Sequence, residues 1–230
     1  IACFDKTIVF LDIETGNADE AIGGHEHALW TVRFSKDGTK MATSSWDFTA
    51  RIWDTSRLHE YVILPAPSFP MLARYTDTGS LVLGGSKGSI RIVSKDGKIL
   101  CQRVVAPTPS WANPASIYQP LMDCTPDGRL AAMALDSGQL QLVDLQTGHT
   151  RVLGTKTNTR TRSVAISPDA KWVAIGGKDR DIRLISLING SSHLLRGHTS
   201  EVQCIAFSPD SRSLASGSGE NGVSDYAVIL

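Results

Sequence analysis

The chain has 230 residues, 41% hydrophobic and 20% charged, which is ordinary globular composition and long enough for one large all-β domain or two small domains. Such a composition excludes disordered, collagen-like and membrane-spanning classes. With 23 Lys and Arg against 23 Asp and Glu, no global field draws nucleic acid or an anionic membrane, although a local basic patch is still open.

In chain order, the predicted elements are short strands parted by turns. "TIVFLDI" and "ADEAIGG" near the N-terminus read as two strands. "VRFSKDGTKMATSS" then sets the pattern: an alternating strand, a polar turn built on Ser/Thr-x-Asp-Gly, and a second strand. A Pro-rich link, "LPAPSFP" at 64–70, leads to "ARYTDTGSLVLGGS", and a longer one, "VVAPTPSWANPASIYQP", cannot continue a central strand and reads as a rim loop. "MDCTPDGRLAAMAL", the polar stretch "LGTKTNTRTRS", "VAISPDAKWVAIGG", "IAFSPDSRSLASGS" and the terminal "VSDYAVIL" follow. No segment sustains helical periodicity over three turns.

Aligning the second tight turn of each segment puts Asp5, Asp47, Lys87, Ser137, Asp179 and Glu220 in one column, at intervals of 42, 40, 50, 42 and 41. A period of about 40–45 with several strands per unit is the signature of propeller blades. The long interval contains the Pro-rich insertion. Six residues after each turn position stands an apolar or aromatic residue, Leu11, Trp53, Val93, Val143, Ile185 and Tyr226, as expected of a strand packed on a neighbouring sheet.

Gly24-His25, "FSKDG" and Trp53-Asp54 together resemble the WD-repeat β-propeller family, and Gly197-His198 with "FSPDSRSLASGS" is a second close match. The resemblance implies an all-β propeller of four-stranded antiparallel blades, with units at approximately 1–22, 23–60, 61–102, 103–152, 153–195 and 196–230. Two arrangements of the ends are open: a six-bladed ring whose terminal pieces share one blade, or a partial arc of a seven-bladed ring. The second is favoured, because "VSDYAVIL" already fills the strand place that "TIVFLDI" would need. A start at Ile1 suggests a processed chain, a trimmed one or a fragment of a longer protein.

In this family the His of the Gly-His pair, a Ser/Thr on the second strand, the Asp of the next turn and the Trp of the third strand form a buried hydrogen-bonded tetrad. The matching residues are His25, Thr43, Asp47 and Trp53, with His198, Ser216, Glu220 and Tyr226 as an approximate second set. A chain of indole, hydroxyl, imidazole and carboxylate pairs each polar group as it is buried. The rival reading, a Thr-His-Asp nucleophile constellation, needs an exposed hydroxyl and an oxyanion hole, and no nucleophile-elbow context appears. No catalytic residue is assigned. The third and fourth units lack the His, Asp and Trp, so apolar packing alone is expected to hold them, and more softly.

Function is therefore expected on a loop face. The resemblance places peptide- or protein-contacting positions five residues after the Gly-His histidine and just before the turn Asp, which are Trp30 and Trp46 in the second unit. Arg162 and Lys178 are their equivalents in the fifth unit, where Arg160 and Arg180 add positive charge and Asp179 and Asp181 oppose it; Gln203 is a further candidate. The expected role is a non-catalytic interaction scaffold for protein partners in the cytoplasm or nucleus. Its alternatives are a regulatory propeller of a larger enzyme or signalling protein, and an adaptor in a nucleic-acid-associated complex.

No cofactor, metal, membrane or small-molecule substrate is expected. His27, His59, His149 and His193 show no metal-binding spacing, "LGGSKGS" lacks the helix of a phosphate loop, and Cys3, Cys101, Cys124 and Cys204 form no CxxC pair and read as free buried thiols.

Overall fold

The structure, a computed structural model, describes residues 5–18, 21–66, 70–85, 88–104, 121–134, 139–153, 161–219 and 228–229. Two compact units divide the chain, residues 1–109 and 110–230. Among the described residues the regular structure is β, and each complete sheet is the four-stranded meander expected of a blade.

The first unit contains two such sheets. One is β1 (Leu29–Phe34), β2 (Lys40–Ser45), β3 (Thr49–Asp54) and β4 (Arg57–Pro65); the other is β5 (Pro70–Tyr75), β6 (Leu81–Gly85), β7 (Ser89–Val93) and β8 (Ile99–Val104). β4 runs past the expected unit boundary at 60. Pro65 can end it because alternate N–H groups of an outermost strand face away from the ladder, the bond across to the residue before β3 being made by the next residue, Ala66 N–H to the Phe48 carbonyl at 2.9 Å. The N-terminal pair appears as two antiparallel bridges, Ile8↔Ile22 and Leu11↔Ala18.

The second unit contains β9 (Leu121–Cys124), β10 (Leu130–Ala134), β11 (Leu140–Asp144) and β12 (Thr150–Leu153), then β13 (Thr161–Ile166), β14 (Trp172–Gly177), β15 (Ile182–Ser186) and β16 (Ser192–Leu195). A three-stranded sheet follows, of β17 (Val202–Phe207), β18 (Leu214–Ser218) and β19 (Val228–Ile229). The last segment thus takes the third-strand place. Its register differs from the first sheet, however: Ser216 faces Ile229, whereas its counterpart Thr43 faces Arg51.

The Ser/Thr-x-Asp turns explain the sharp return between first and second strands. Ser35 Oγ donates to Asp37 Oδ1 at 2.7 Å and accepts from the Lys40 N–H at 2.9 Å, while Asp37 accepts from the Thr39 N–H at 3.1 Å. Ser167 with Asp169 and Ser208 with Asp210 repeat this, so a short hydroxyl and a carboxylate satisfy turn groups the ladder cannot reach.

Apolar residues fill the space between successive sheets. Ala42, Ala50, Ile52 and Leu64 of the first sheet meet Ala73, Leu81, Leu83 and Val93 of the second, and Ile8 and Ile22 meet Leu29, Met41 and Trp53. In the second unit Ala132, Leu140 and Leu142 meet Val164, Ile166 and Val173, and Ala165, Ala174 and Ile182 meet Val202 and Ile205. Trp53, Val93, Val143 and Ile185 from the predicted column are buried, but Leu11 is 46% exposed. Leu11 lies in an isolated bridge rather than a covered sheet, which accounts for the departure. Gly176 marks a close approach between sheets: an added Cβ would come within 2.7 Å of Val202 Cγ1.

The third and fourth units are not held by apolar packing alone. Arg91 bonds the Gln102 side chain and the Pro65 carbonyl, and the Asp123 carboxylate accepts from the Ile166 N–H at 3.1 Å, tying neighbouring sheets. Cys124 is buried, but Cys101 is half-buried and Cys204 exposed, so the expectation of uniformly buried thiols fails there.

Candidate functional site

The start of β1, the β2–β3 turn and the end of β4 share one rim of the first sheet, because Leu29 pairs with Ser45 and Thr49 with Pro65. His25, Trp30, Trp46 and Asp47 gather there, and Trp53 reaches toward them from the other end of β3 through its bond to Thr43. His25 is 5% exposed and Thr43 and Trp53 are fully buried. Trp53 Nε1 donates to Thr43 Oγ1 at 2.8 Å, His25 Nε2 lies 2.7 Å from the same oxygen, and His25 Nδ1 lies 2.7 Å from Asp47 Oδ2. An indole can only donate, so Thr43 turns its own proton toward Nε2. Nδ1–H then points at Asp47.

That carboxylate is saturated. Oδ2 also accepts from the Glu26 N–H at 3.0 Å, and Oδ1 accepts from the Thr49 N–H at 2.9 Å and the Thr49 hydroxyl at 2.7 Å. Burial raises the Asp47 pKa, but the bonds from Thr49, His25 and Glu26 outweigh it and hold the acid at about 2. His25 moves downward: burial disfavours the imidazolium more than Asp47 favours it. A neutral imidazole between a hydroxyl and a carboxylate has the order of a hydrolytic triad. The hydroxyl is sealed from solvent with its proton committed, so no substrate carbonyl can reach it.

Gly24 is required by this packing. Its φ is +154°, and an added Cβ would fall 2.7 Å from Arg51 Nη1 and 2.9 Å from Trp53 Cη2. Arg51 itself was missed by the sequence reading, although strand alternation sets it on the face of Thr49 and Trp53. It is 5% exposed, with its guanidinium 4.5 Å from the centre of the Tyr61 ring and Nη2 3.9 Å from Asp47 Oδ2. Among the described residues its Nε and Nη1 have no hydrogen-bond partner.

Outside this buried set lie Trp30 and Trp46, with ring centroids 6.2 Å apart and planes inclined by 35°. Trp30 is 40% exposed and Trp46 half-buried. A feature invisible in sequence puts Trp30 there: β1 carries a β-bulge between Leu29 and Thr31, so Trp30 is the extra residue with no place in the ladder. Bulges sit likewise at Met71, Arg162 and Gln203 on the first strands of three other sheets. Trp46, Lys178 and Gly219 each follow directly on the second strand of their sheet. Trp46 N–H donates to the Ala28 carbonyl, Gly219 N–H to that of Glu201, and Gln203 Nε2 reaches the Gly219 carbonyl at 2.9 Å.

The basic sector differs from expectation. Arg162 Nε donates to Glu201 Oε2 at 2.8 Å, and Lys178 Nζ stands 3.8 Å from Oε1. Glu201, on the neighbouring sheet and 7% exposed, is therefore the compensating carboxylate in place of Asp179 and Asp181; Asp181 instead faces Arg196 at 3.6 Å. Arg160 lies outside the described residues. In the last unit His198 Nε2 lies 2.8 Å from Ser216 Oγ, reproducing half of a tetrad, while Glu220 and Tyr226 fall outside the described residues.

Comparison with known proteins agrees with the repeat reading. The family described as "WD domain, G-beta repeat" matches residues 20–54, 140–186 and 190–224. Serine-threonine kinase receptor-associated protein of Bos taurus is 25% identical over 266 aligned residues, spanning 100% of this chain and 75% of that protein. Apoptotic protease-activating factor 1 of Danio rerio is 23% identical over 224 residues, 97% of this chain but 14% of that protein. An uncharacterized WD repeat-containing protein of Synechocystis is 32% identical over 99 residues, 43% of this chain and 28% of its own. These matches indicate no enzyme family.

Proposed function

Since the chain belongs to the WD-domain, G-beta repeat family, we propose that it is a non-catalytic scaffold presenting one rim of its sheets to protein or peptide partners. The Trp30–Trp46 pair carries this reading. Two large amphipathic rings meet on a rim whose His25, Thr43 and Asp47 are consumed by one another, and aromatic anchors supply a large part of interface energy. The only hydroxyl-imidazole-carboxylate set among the described residues of this rim is closed to substrate. The Bos taurus relative is a receptor-associated protein, which supports an interaction role.

A second reading makes the chain one region of a larger signalling protein, favoured by the Danio rerio match, which occupies 14% of its relative. In either case the rim supplies the contact. The test is quantitative affinity capture with wild-type chain and the double variant Trp30→Ala/Trp46→Ala. Loss of specifically captured proteins with an unchanged circular dichroism melt is expected; an identical capture profile would sink the proposal.

A further inference from the structure

Charge is segregated across the first sheet. Lys36 lies in the β1–β2 turn, Lys40 pairs with Asp54, and Arg57 follows β3, so all three stand on the rim opposite the tryptophans. Arg33 is near that end of β1. Arg51 is buried beneath Tyr61. On the tryptophan rim, the described charged side chains of this sheet's approach and β2–β3 turn are Glu26 and the sealed Asp47.

Glu26 is exposed, and its loop is stapled to the tryptophan turn at three points. Its N–H donates to Asp47 Oδ2, Ser45 Oγ donates to the His27 carbonyl at 3.0 Å, and Trp46 N–H donates to the Ala28 carbonyl at 3.0 Å. The backbone that carries this exposed carboxylate is thereby held against the turn that carries Trp46, four residues before Trp30. The indoles are inclined rather than stacked flat.

From this juxtaposition we infer that the rim takes a cationic side chain, a lysine or arginine of an extended protein segment. The inference rests on the partner-binding reading above and names the chemistry of that contact. The ring quadrupole attracts a cation over an indole face, and the Glu26 carboxylate adds a charge-assisted partner that an uncharged or acidic segment could not use. Among its described residues the first sheet itself carries no exposed cation on this rim; the Arg91 guanidinium of the neighbouring sheet reaches the rim at the Pro65 carbonyl and is bound there and to Gln102. The equivalent positions of another sheet show the contrast. There Arg162 and Lys178 are bound to Glu201, so the fold supplies its own counter-ion where it displays cations and leaves the acid uncompensated beside Trp30 and Trp46.

The chain has five tryptophans, so its ¹⁵N-labelled form gives five indole N–H signals, assignable by single Trp→Phe variants. Tetralysine, tetraglutamate and an uncharged Ser-Leu-Ser-Leu peptide serve as probes. Saturable shifts of the Trp30 and Trp46 signals with tetralysine alone, weakened roughly fivefold or more in Glu26→Gln and by added salt, are expected. Equal shifts with tetraglutamate, or an affinity unaltered by Glu26→Gln, would overturn the inference. Preference for Ser-Leu-Ser-Leu at the same two indoles would also overturn it while upholding the partner-binding rim. Silence with all three peptides rejects the cation site, and the capture experiment then decides the broader reading separately.

Discussion

Replacing Asp47 with alanine removes the acceptor for His25 Nδ1–H, the Glu26 and Thr49 N–H groups and the Thr49 hydroxyl, and takes away the anion 3.9 Å from Arg51. The cost can be apportioned by access to water. Glu26 is exposed and its amide can be rehydrated, and the Thr49 hydroxyl can rotate toward another acceptor. His25 and Arg51 are each 5% exposed and have no such recourse. At about 1–3 kcal/mol for each buried donor stranded, and about 3–5 kcal/mol for breaking a buried ion pair from one side, these overlapping terms give about 2–5 kcal/mol. For a chain of this size that corresponds to a midpoint lower by about 4–20 °C. Urea titration with a thermal melt measures the loss, and amide exchange locates it in β1–β4. Asp47→Asn, which keeps an acceptor but not the charge, should fall between the two. An unchanged midpoint and unchanged β1–β4 protection would refute the claim that the tetrad fastens this sheet.

Stability should also depend on pH through His25. Its folded pKa is lowered by burial from 6.5, so the folded state holds it neutral while the unfolded chain takes up a proton. The contribution is complete above pH 6.5 and is lost as pH falls toward the folded value, with a slope of up to about 1.4 kcal/mol per unit. Melts from pH 8 to 5 should show this decline flattened in His25→Gln; an identical decline would exclude His25 as its source. Asp47 acts in a separate window, its contribution falling only as pH drops from 3.8 toward about 2. Gly24→Ala should destabilise by about 1–3 kcal/mol, since a Cβ there meets Arg51 and Trp53 at a φ that disfavours side chains, and a neutral effect in a urea titration would contradict the geometry. Arg162→Ala should cost about 1–3 kcal/mol by leaving the buried Glu201 carboxylate with only Lys178 at 3.8 Å, and Glu201→Gln with Arg162→Ala should recover part of it in a double-mutant cycle.

The repeat was legible because it depends on residues close in sequence, and its fastening because the repeat resembles a family in which those positions form a tetrad. Ser35 and Asp37 define a turn by local bonds, and the spacing of His25, Thr43, Asp47 and Trp53 follows from successive strands of one meander. The nearness of Trp30 and Trp46 followed from the same repeat. What escaped was set between segments or by backbone irregularity. Glu201 became the partner of Arg162 across two sheets, and Asp123 tied itself to Ile166, contacts that no local pattern encodes. Arg51 drew no reading from the sequence, although its period-2 relation to Thr49 and Trp53 assigns it to their buried face. The bulge at Trp30 has no residue signature at all, since an extra residue in a strand shows only in pairing.

Those bulges carry a further consequence. Trp30, Met71, Arg162 and Gln203 occupy equivalent irregularities, yet their side chains share neither size, charge nor polarity. A residue outside the ladder can be exchanged without shifting the register of its strand, so the display surface can be rewritten one position at a time while the frame beneath stays constant. The fold thereby offers evolution, and protein engineering, a set of interchangeable sockets whose occupants alter what is recognised rather than whether the chain folds.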